Sequence, residues 1–391
     1  MGADWDQLAG TIDGGTFVAP LVLDPSVPGD TGALAELSGS GSIRHVSDDY
    51  EEQQRELYAI MHPDKVYAPG FEAEFRAYYT GLGDIPRHGR WVYFPWRSLI
   101  SHILSEQDFR RVRTARNRNL ITEKEQERFY NATIGIAGLS VGSNVALALA
   151  LQGGGKHMRL ADMDRLALSN TNRVLAGAGD LGELKVRVAA RRIYELNPYA
   201  VLDIFEGGLQ KENIGSFFEG LDVVVDELDN LSVKYLIREE ARKRKIAVVM
   251  AADNGDNAVV DVERYDLNPD TPFFHGRLGD VSYEELKSLD KFGIGKAITK
   301  HIGPENVTAR MQESLLEMGK TIVSWPQLGG AALLAGASVA YCIRKIVNGQ
   351  PLEDNRALVS LDEKFIPGFS GTEETAKRTK AANAFKSVFG L

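Results

Sequence analysis

Cysteine is almost absent from the 391-residue sequence, which contains only Cys342. A single cysteine excludes an intrachain disulfide framework and any zinc site built from pairs of cysteines. Cys342 lies in "VAYCIRK", where a buried packing cysteine is predicted rather than a catalytic thiol. The seven histidines are scattered without a His-x-x-x-His pair, so a metal hydrolase is not expected.

The sequence also lacks an excess of positive charge and a long hydrophobic run. Its formal net charge of -9 argues against bulk attraction to nucleic acid or to an anionic membrane. The opening "MGADWDQLAG" has no basic segment followed by an apolar core, so a secretory signal is not expected. The apolar stretch "AALLAGASVAYCI" is predicted to be too short to span a bilayer. These absences predict a cytoplasmic protein in a reducing setting, without a membrane partner.

The first hundred residues have mixed patterns. Residues 1 to about 45 are rich in Gly, Ser, Asp and Pro and predict a loosely structured segment with one strand. The segment "VSDDYEEQQRELYAIMHPDK" predicts a helix that ends before Pro63, and "GRWVYFPWR" predicts a strand. From "SLISHIL" to "ERFY" the pattern predicts helix. We assign residues 1–110 to an α+β N-terminal extension that determines substrate or partner specificity.

Apolar strand-like runs alternate with helical segments in the central part of the chain. Such alternation predicts an α/β domain with a doubly wound, mostly parallel, Rossmann-like sheet over residues 111–350. "AVVDVERYD" predicts an added antiparallel strand, and "LGGAALLAGASVAYCIRKIVNG" predicts a long helix that stops at Gly349. Residues 351–391 are weakly patterned and are assigned to a C-terminal tail.

The segment "GIAGLSVGS" stands at the predicted turn from the first central strand to its helix. Glycines there let the backbone approach a phosphate, and the helix N-terminus favours negative charge. Asp162 ends the next strand, where a dinucleotide-binding fold places the acid that holds ribose hydroxyls. These two features predict a bound nucleotide without separating NAD from ATP. The structural alternative is a tight turn beside a surface acid.

A second set of charged residues favours ATP. "DMDRLALSNTNR" runs from Asp162 to Arg173, and Lys185 begins a helix twelve residues later. Asp229 ends the fourth strand in "VVVDELDN". The C-terminal ends of the strands line one crevice of an open α/β sheet, so these four side chains are expected to converge. Two cations suit a triphosphate, and a carboxylate beside them requires a cation such as Mg²⁺.

These segments resemble the ThiF/HesA/MoeB-type adenylyltransferases, a family related to ubiquitin-activating enzymes. The resemblance covers roughly residues 115–350. It rests on five ordered motifs, which are "RNRN", "GIAGLSVGS", "DMDRLALSNTNR", "KVRVAARRIYELNP" and "ELDN".

The resemblance implies a role for each matched residue. Arg118 in "RNRN" would act across a homodimer interface on the partner's ATP, and Asp229 would hold Mg²⁺ between phosphates. The implied catalytic residues are Arg118, Arg173, Lys185 and Asp229. The implied cofactor-binding residues are Gly135, Gly138, Gly142, Asp162, Asp164, Asn170, Arg173 and Lys185.

The implied reaction is attack of a carboxylate on the α-phosphate of ATP, which gives an acyl-adenylate and pyrophosphate. The sequence offers no thioester cysteine, so a second nucleophile would attack the adenylate directly, as in the tRNA-modifying dehydratase branch of the family. The substrate carboxylate could belong to a peptide, a carrier protein, a tRNA-attached group or a small acid. Two departures from the family are the altered glycine pattern of the loop and the missing zinc-binding cysteine pairs.

Two other functions stay open from the sequence. An NAD(P)-dependent oxidoreductase could use the same glycine loop and Asp162, although Arg173, Lys185 and Asp229 would then be idle. A nucleotide-binding scaffold without turnover is the third interpretation. In "TPFFHGRLGD", His275 and Arg277 could face an acyl substrate, but a solvated loop is the preferred interpretation.

Overall fold

The computed structural model describes residues 16–390. These residues form two compact units, and each is described separately. The smaller unit contains residues 16–127 and 193–200, and the larger unit contains residues 128–192 and 201–390. The unit boundary therefore falls at residue 127 rather than at 110, and the segment assigned to a tail belongs to the larger unit.

The smaller unit contains a four-stranded sheet with the order β1-β3-β4-β2. Only the β2–β4 pair is parallel among the pairings within this sheet. The strands are β1 Leu21–Leu23, β2 His45–Asp48, β3 Arg90–Phe94 and β4 Leu99–Ile103. The helices that begin in this part of the chain are α1 Pro28–Gly39, α2 Tyr50–Met61, α3 Phe71–Gly81, α4 Glu106–Arg113 and α5 Glu123–Asn131. Short 3₁₀ turns occupy Ile85–Arg87, Pro95–Arg97 and Ala115–Asn117.

The sequence prediction was wrong at two places in this unit. The segment predicted to be helical from Ser98 begins with the strand β4, which pairs antiparallel with β3. The 3₁₀ turn Pro95–Arg97 and a left-handed Ser98, with φ of +48°, reverse the chain between the two strands. The segment predicted to be loosely structured contains the helix α1, which has no buried residue and so gives no hydrophobic periodicity.

The larger unit is built on a seven-stranded sheet with the order β11-β10-β9-β8-β5-β6-β7. The five strands from β9 to β7 are parallel, and β10 and β11 are antiparallel additions. The chain winds outward from β5 in both directions, which confirms the predicted doubly wound α/β fold. The strands are β5 Thr133–Ala137, β6 His157–Ala161, β7 Val201–Phe205, β8 Val223–Asp226, β9 Ala247–Asn254, β10 Asn257–Glu263 and β11 Asn355–Val359.

Helices follow most of these strands. They are α6 Gly142–Leu151, α7 Lys185–Leu196, α8 Ile214–Phe217, α9 Leu231–Arg244, α10 Tyr283–Lys287, α11 Lys291–Ile302, α12 Ala309–Glu317, α13 Gly329–Val347, α14 Leu361–Phe365 and α15 Thr372–Phe389. Further 3₁₀ turns occupy Leu168–Asn170, Ala178–Asp180 and Phe273–Gly276. One apolar core joins Phe217 of α8 and Ile237 of α9 to Val224 and Val248 of the sheet.

The helix α13 corrects the prediction that the stretch "AALLAGASVAYCI" is too short to span a bilayer. It has 19 residues and a mean hydropathy of 1.4, so by length and composition it could cross a membrane. A core helix passes the same test, and α13 packs on β9, β10 and α6. Gly336 lies so close to α6 that a Cβ atom there would come within 2.7 Å of the backbone carbon of Asn144. Cys342 is buried on this helix, as predicted, and burial raises the pKa of its thiol to about 11.

Candidate functional site

A cavity of about 700 Å³ opens in the larger unit at the carboxyl ends of the parallel strands. It lies where β5 and β8 are neighbours and the winding direction changes, which is the usual ligand site of such sheets. Each of four strands sends a lining residue into it directly or shortly after the strand ends. These residues are Gly138 after β5, Asp162 after β6, Gly208 after β7 and Glu227 after β8.

The glycine loop follows β5 and forms one wall of the cavity. Gly138 has a φ of +86°, and a Cβ atom there would lie 2.4 Å from the carbonyl oxygen of Glu227. Of the three predicted glycines, only Gly138 belongs to the lining among the residues that the structure describes. Gly135 lies inside β5, packed against Leu221, and Gly142 begins α6. Gly135 and Gly142 therefore lie in the strand and the helix on either side of the loop.

Asp162 holds the glycine loop in place. One carboxylate oxygen accepts the N–H of Leu139 at 2.6 Å, and the other accepts the N–H of Asp164 at 2.8 Å. Burial raises the pKa of this carboxyl group, although the two N–H donors and the charge of Lys185 partly oppose the shift. Each oxygen keeps a lone pair for a further donor, such as a ribose hydroxyl.

Lys185 and Asp164 form an ion pair on the floor of the cavity. The Nζ atom of Lys185 lies 2.9 Å from Oδ2 of Asp164, and the backbone N–H of Lys185 donates to the carbonyl of Asp164 at 2.9 Å. The lysine side chain is 9% exposed, whereas that of Asp164 is 65% exposed. The ammonium group is therefore held at the first turn of α7, on the cavity lining.

Arg173 contacts the glycine loop but is not one of the described residues that line the cavity. Its Nε donates to the hydroxyl of Ser140 at 3.0 Å, and its own carbonyl accepts the side-chain amide of Asn144 at 2.8 Å. Burial lowers the pKa of Arg173, while the charges of Asp253 and Asp229 act in the opposite direction. The guanidinium group is therefore placed between the loop and two carboxylates.

Asn170 has a local role in the structure. Its Oδ1 accepts the N–H of Ala167 at 3.0 Å and so closes the 3₁₀ turn Leu168–Asn170. Asn170 does not belong to the cavity lining within the described part of the chain. The turn it closes leads to Arg173, whose N–H donates to the carbonyl of Asn170 at 3.0 Å.

Asp229 lines the cavity as an exposed carboxylate, but it does not end the strand as predicted. The strand β8 ends at Asp226, which is fully buried. Asp226 pairs with Arg238 at 2.6 Å and with Lys234 at 3.2 Å, so it anchors α9 to the sheet. The carboxylate available to a ligand comes three residues later, in the loop that leads to α9.

Glu227 is a cavity residue that the sequence analysis missed. It stands between the buried Asp226 and the exposed Asp229, and its half-buried side chain lines the cavity. Its Oε1 accepts the N–H of Ala251 at 2.8 Å. The sequence places three acids in "VVVDELDN", but it does not show which of them faces the cavity.

The far end of the cavity is formed by the loop after β7 and by α10. Lys211 places its Nζ 3.9 Å from the ring centre of Tyr283, and Leu286 adds an apolar surface beside it. Glu212 of the same loop and Lys287 of α10 also line the cavity, so this end carries charged side chains as well. The cavity thus has Lys185 beside the glycine loop at one end and an aromatic ring flanked by two lysines at the other.

Three other predicted residues lie elsewhere. Arg118 belongs to the smaller unit and is exposed at the end of the 3₁₀ turn Ala115–Asn117. His275 is not on a solvated loop, because it contacts the buried Asp261 at 2.6 Å and Asp354 at 3.4 Å. Arg277 pairs with Glu305 at 2.9 Å. His275 is therefore held against a buried carboxylate, whereas Arg277 belongs to an ion pair that is partly exposed to solvent.

Residues 114–358 match the family described as the ThiF family. The chain belongs to this family. An uncharacterized protein of Mycobacterium tuberculosis is 41% identical over 272 residues, which cover 70% of this chain and 38% of that protein.

Two further ThiF-type relatives have named activities. The tRNA threonylcarbamoyladenosine dehydratase of Escherichia coli is 31% identical over 48% of this chain and 69% of its own length. A crystal structure of an E. coli enzyme of that name has a TM-score of 0.43, with 21% identity, and the match covers 61% of this chain and 95% of that chain. The sulfur carrier protein adenylyltransferase of Thermus thermophilus is 34% identical over 30% of this chain and 43% of its own length. The matches thus span less than half the length of the Mycobacterium tuberculosis protein and of the Thermus thermophilus adenylyltransferase.

Proposed function

We propose that the protein activates a carboxylate by ATP- and Mg²⁺-dependent adenylation. The observation that carries the proposal is the cavity in which Gly138, Asp162, Lys185 and Asp229 come together at the β5–β8 junction. A bound nucleotide would direct its phosphates toward Gly138 and Lys185 and its ribose toward Asp162. The ring of Tyr283 and the side chain of Leu286 would receive the base.

The charges of the site suit a triphosphate better than a nicotinamide dinucleotide. Lys185 lines the cavity, and Arg173 reaches the glycine loop through Ser140. Transfer of an adenylyl group depends on charge neutralisation and positioning more than on a protein nucleophile. An oxidoreductase would need a side chain that takes part in hydride or proton transfer. Asp229 would have no role in such a reaction.

Magnesium fits the donors that the cavity offers. Mg²⁺ prefers oxygen ligands and is often bound through one or two carboxylates together with substrate phosphates and water. Asp229 is the exposed carboxylate that would hold it. The described residues contain no group of three or more His, Cys, Asp or Glu side chains that could bind a metal unaided, in keeping with a metal that arrives with ATP. The bound ion would neutralise charge on the phosphates.

The reaction proposed for this site has two steps. A substrate carboxylate oxygen attacks the α-phosphorus, the bond from that phosphorus to the bridging oxygen breaks, and pyrophosphate leaves. A second nucleophile then attacks the acyl carbon and releases AMP. No cysteine is required, and Cys342 is buried in α13 with a raised pKa. The proposed substrate carboxylate belongs to a peptide, a carrier protein, a tRNA-attached group or a small acid.

The proposed assembly is a cytoplasmic homodimer in which Arg118 acts on the partner's ATP. Arg118 is exposed, and no acid among residues 16–390 pairs with it. An arginine supplied in this way can raise a phosphoryl-transfer rate by roughly 10³- to 10⁵-fold. No membrane takes part in the proposed reaction.

The proposal is tested by ATP–pyrophosphate exchange with three probes: a tRNA that carries threonylcarbamoyladenosine, a synthetic peptide with a free C-terminal carboxylate, and acetate. At least one probe is expected to support exchange by the wild-type protein. Asp229→Ala should abolish that exchange and leave the thermal unfolding midpoint unchanged, because Asp229 is exposed. Asp256→Ala, an exposed aspartate in the β9–β10 turn, is the matched control. Full exchange by a folded Asp229→Ala protein would contradict the proposal.

A further inference from the structure

His275 lies between two carboxylates that belong to different segments of the larger unit. Its Nε2 is 2.6 Å from Oδ1 of Asp261, in β10, and its Nδ1 is 3.4 Å from Oδ1 of Asp354, just before β11. The closer contact is an ion pair without the alignment of a hydrogen bond. A carboxylate can only accept hydrogen bonds, and a neutral imidazole has a single N–H group. Because both ring nitrogens face acceptors, the arrangement suits the doubly protonated imidazolium ion.

The charges around His275 balance only when its ring is protonated. Asp261 is buried and also contacts the guanidinium group of Arg356. His301 lies 3.9 Å from Asp261, but burial lowers its pKa well below the usual range, so it supplies no charge. Asp261 and Asp354 thus carry two negative charges against the single positive charge of Arg356. A proton on His275 makes these four side chains neutral together, and we call the four the His275 cluster.

Further charged groups act on the cluster from the neighbouring elements. Burial lowers the pKa of His275, but three carboxylates outweigh this effect and raise the pKa above its ordinary value. They are Asp261, Glu263 and Asp354. Glu263 is itself paired with Arg238 at 2.7 Å. The remaining charged neighbours are Lys234 and Arg238 in α9, Arg277 just after the 3₁₀ turn and Glu305 after α11.

The backbone at His275 is held in an uncommon conformation. Phe274 and His275 have φ of +57° and +50°, in the left-handed region that few residues other than glycine adopt. The N–H of Phe274 donates to Oε1 of Glu263 at 2.7 Å. The ring centre of Phe274 lies 4.0 Å from the guanidinium carbon of Arg238. Packing of the buried Phe274 therefore fixes the imidazole of His275 between β10 and the chain that enters β11.

The strand β11 is attached to β10 differently at its two ends. Charged contacts hold the end that begins at Asn355, where Arg356 lies opposite Asp261 in the register. At the other end, the side chain of Asn257 accepts the N–H of Leu361 at 2.8 Å. The strand is the edge of the sheet and none of its residues is fully buried, so hydrophobic burial adds little. Attachment of the first end therefore depends on the charge of the His275 cluster.

We propose that protonated His275 clamps the first end of β11 onto β10 and that this edge of the sheet opens locally as the solution becomes alkaline. In the unfolded chain a histidine loses its proton near pH 6.5, roughly. The pKa of His275 in the folded protein is higher. The clamp therefore contributes its full stability below about pH 6.5 and loses it as the pH rises through the folded-state pKa.

The clamp is separate from the proposed adenylation. None of the four side chains of the His275 cluster lines the nucleotide cavity within the described part of the chain. Deprotonation of His275 leaves one uncompensated negative charge shared by Asp261 and Asp354. Local opening of an exposed edge strand requires little loss of packing, so this charge can shift the opening equilibrium without unfolding the sheet.

The test is hydrogen–deuterium exchange of the whole chain at about pH 6 and about pH 9, with each rate corrected for the intrinsic effect of pH. Protection of residues 354–359 is expected to fall by about threefold or more between the two conditions. Protection of β5, in the middle of the sheet, should stay constant. His275→Gln cannot be protonated and should show low protection at both values. The matched control is His45→Gln, which removes an exposed histidine of the smaller unit and should behave as the wild-type protein does.

Two results of this experiment would overturn the proposal. One is wild-type protection of residues 354–359 that does not change with pH. The other is a His275→Gln protein that keeps the wild-type dependence on pH.

A second measurement decides the question even if His275→Gln fails to fold. Nitrogen-15 NMR of histidine-labelled wild-type protein follows the protonation of each imidazole, and His275 is identified by its shift in Asp354→Asn. The titration midpoint of His275 should lie above that of free histidine and should fall in Asp354→Asn, because one of the two carboxylates has lost its charge. A midpoint at or below that of free histidine, or one that Asp354→Asn leaves unchanged, would overturn the clamp.

Discussion

At the residue scale, the site depends on close packing of the glycine loop against the loop after β8. Gly138 has a positive φ and touches the backbone of Glu227, so two separate constraints require glycine there. Asp162 fixes the same loop through the N–H groups of Leu139 and Asp164. The carboxylate expected to hold the ribose therefore also shapes the phosphate end of the cavity.

Substitution of Gly138 tests this packing. Gly138→Ala should lower the free energy of unfolding by about 2–4 kcal/mol, because the Cβ atom meets backbone in a conformation that alanine disfavours. Gly179→Ala is the control, since nothing lies within 4 Å of a Cβ atom there and its φ is not positive. The control should change the free energy by less than about 1 kcal/mol. Urea unfolding measures both, and equal stabilities for the two variants would refute the packing argument.

Several residues predicted for the site line one cavity, and others lie outside its lining among the described residues. Asp162, Arg173, Lys185 and Asp229 were expected to converge. The structure brings Asp162, Lys185 and Asp229 to the cavity lining, whereas Arg173 contacts the glycine loop through Ser140. The three residues in the lining were predictable because residues after parallel strands share one edge of the sheet. Glu227 was not predicted, because nothing in one sequence shows which of three nearby acids turns into a cavity. Asn170 lies outside the lining for a related reason, since only the fold shows that its side chain closes a local turn.

At the element scale, the parallel strands were predictable and the edges were not. Largely apolar and buried runs identify β5, β8 and β9 from sequence, and the shorter apolar pattern of "HMRLA" identifies β6. The strand β11 escaped prediction because it is an exposed edge with a mixed burial pattern. The strand β4 was predicted to be helix because the turn at Ser98, which reverses the chain, has no glycine to mark it.

The packing of α13 on α6 depends on a small residue at position 336. Gly336→Ala should lower the free energy of unfolding by about 1–3 kcal/mol, because its Cβ atom overlaps the backbone of Asn144. Gly330→Ala, in the first turn of the same helix, has open space around it and should be neutral or slightly stabilising, by less than about 1 kcal/mol. Differential scanning calorimetry of the two variants provides the comparison. Greater destabilisation by Gly330→Ala than by Gly336→Ala would show that the helix packs differently.

At the scale of the whole molecule, we propose that the reaction takes place in a homodimer. If Arg118 acts on the partner's ATP, a mixture of Arg118→Ala and Asp229→Ala proteins should regain activity, although each alone is inactive. Free exchange of subunits at equal amounts should give roughly a quarter of the wild-type rate, because half of the dimers are hybrids with one intact site. The readout is pyrophosphate exchange with the carboxylate found to support it. No recovery after demonstrated subunit exchange would remove the role of Arg118 in trans.

The most direct test of the central claim is calorimetric titration with MgATP, and separately with NAD⁺ and NADPH. The wild-type protein should bind MgATP and neither nicotinamide nucleotide. Asp162→Ala should lose MgATP binding, and the exposed control Asp256→Ala should keep it. Circular dichroism would first show that both variants are folded. Binding of NAD⁺ or NADPH in place of ATP would contradict adenylation and redirect the search to hydride acceptors.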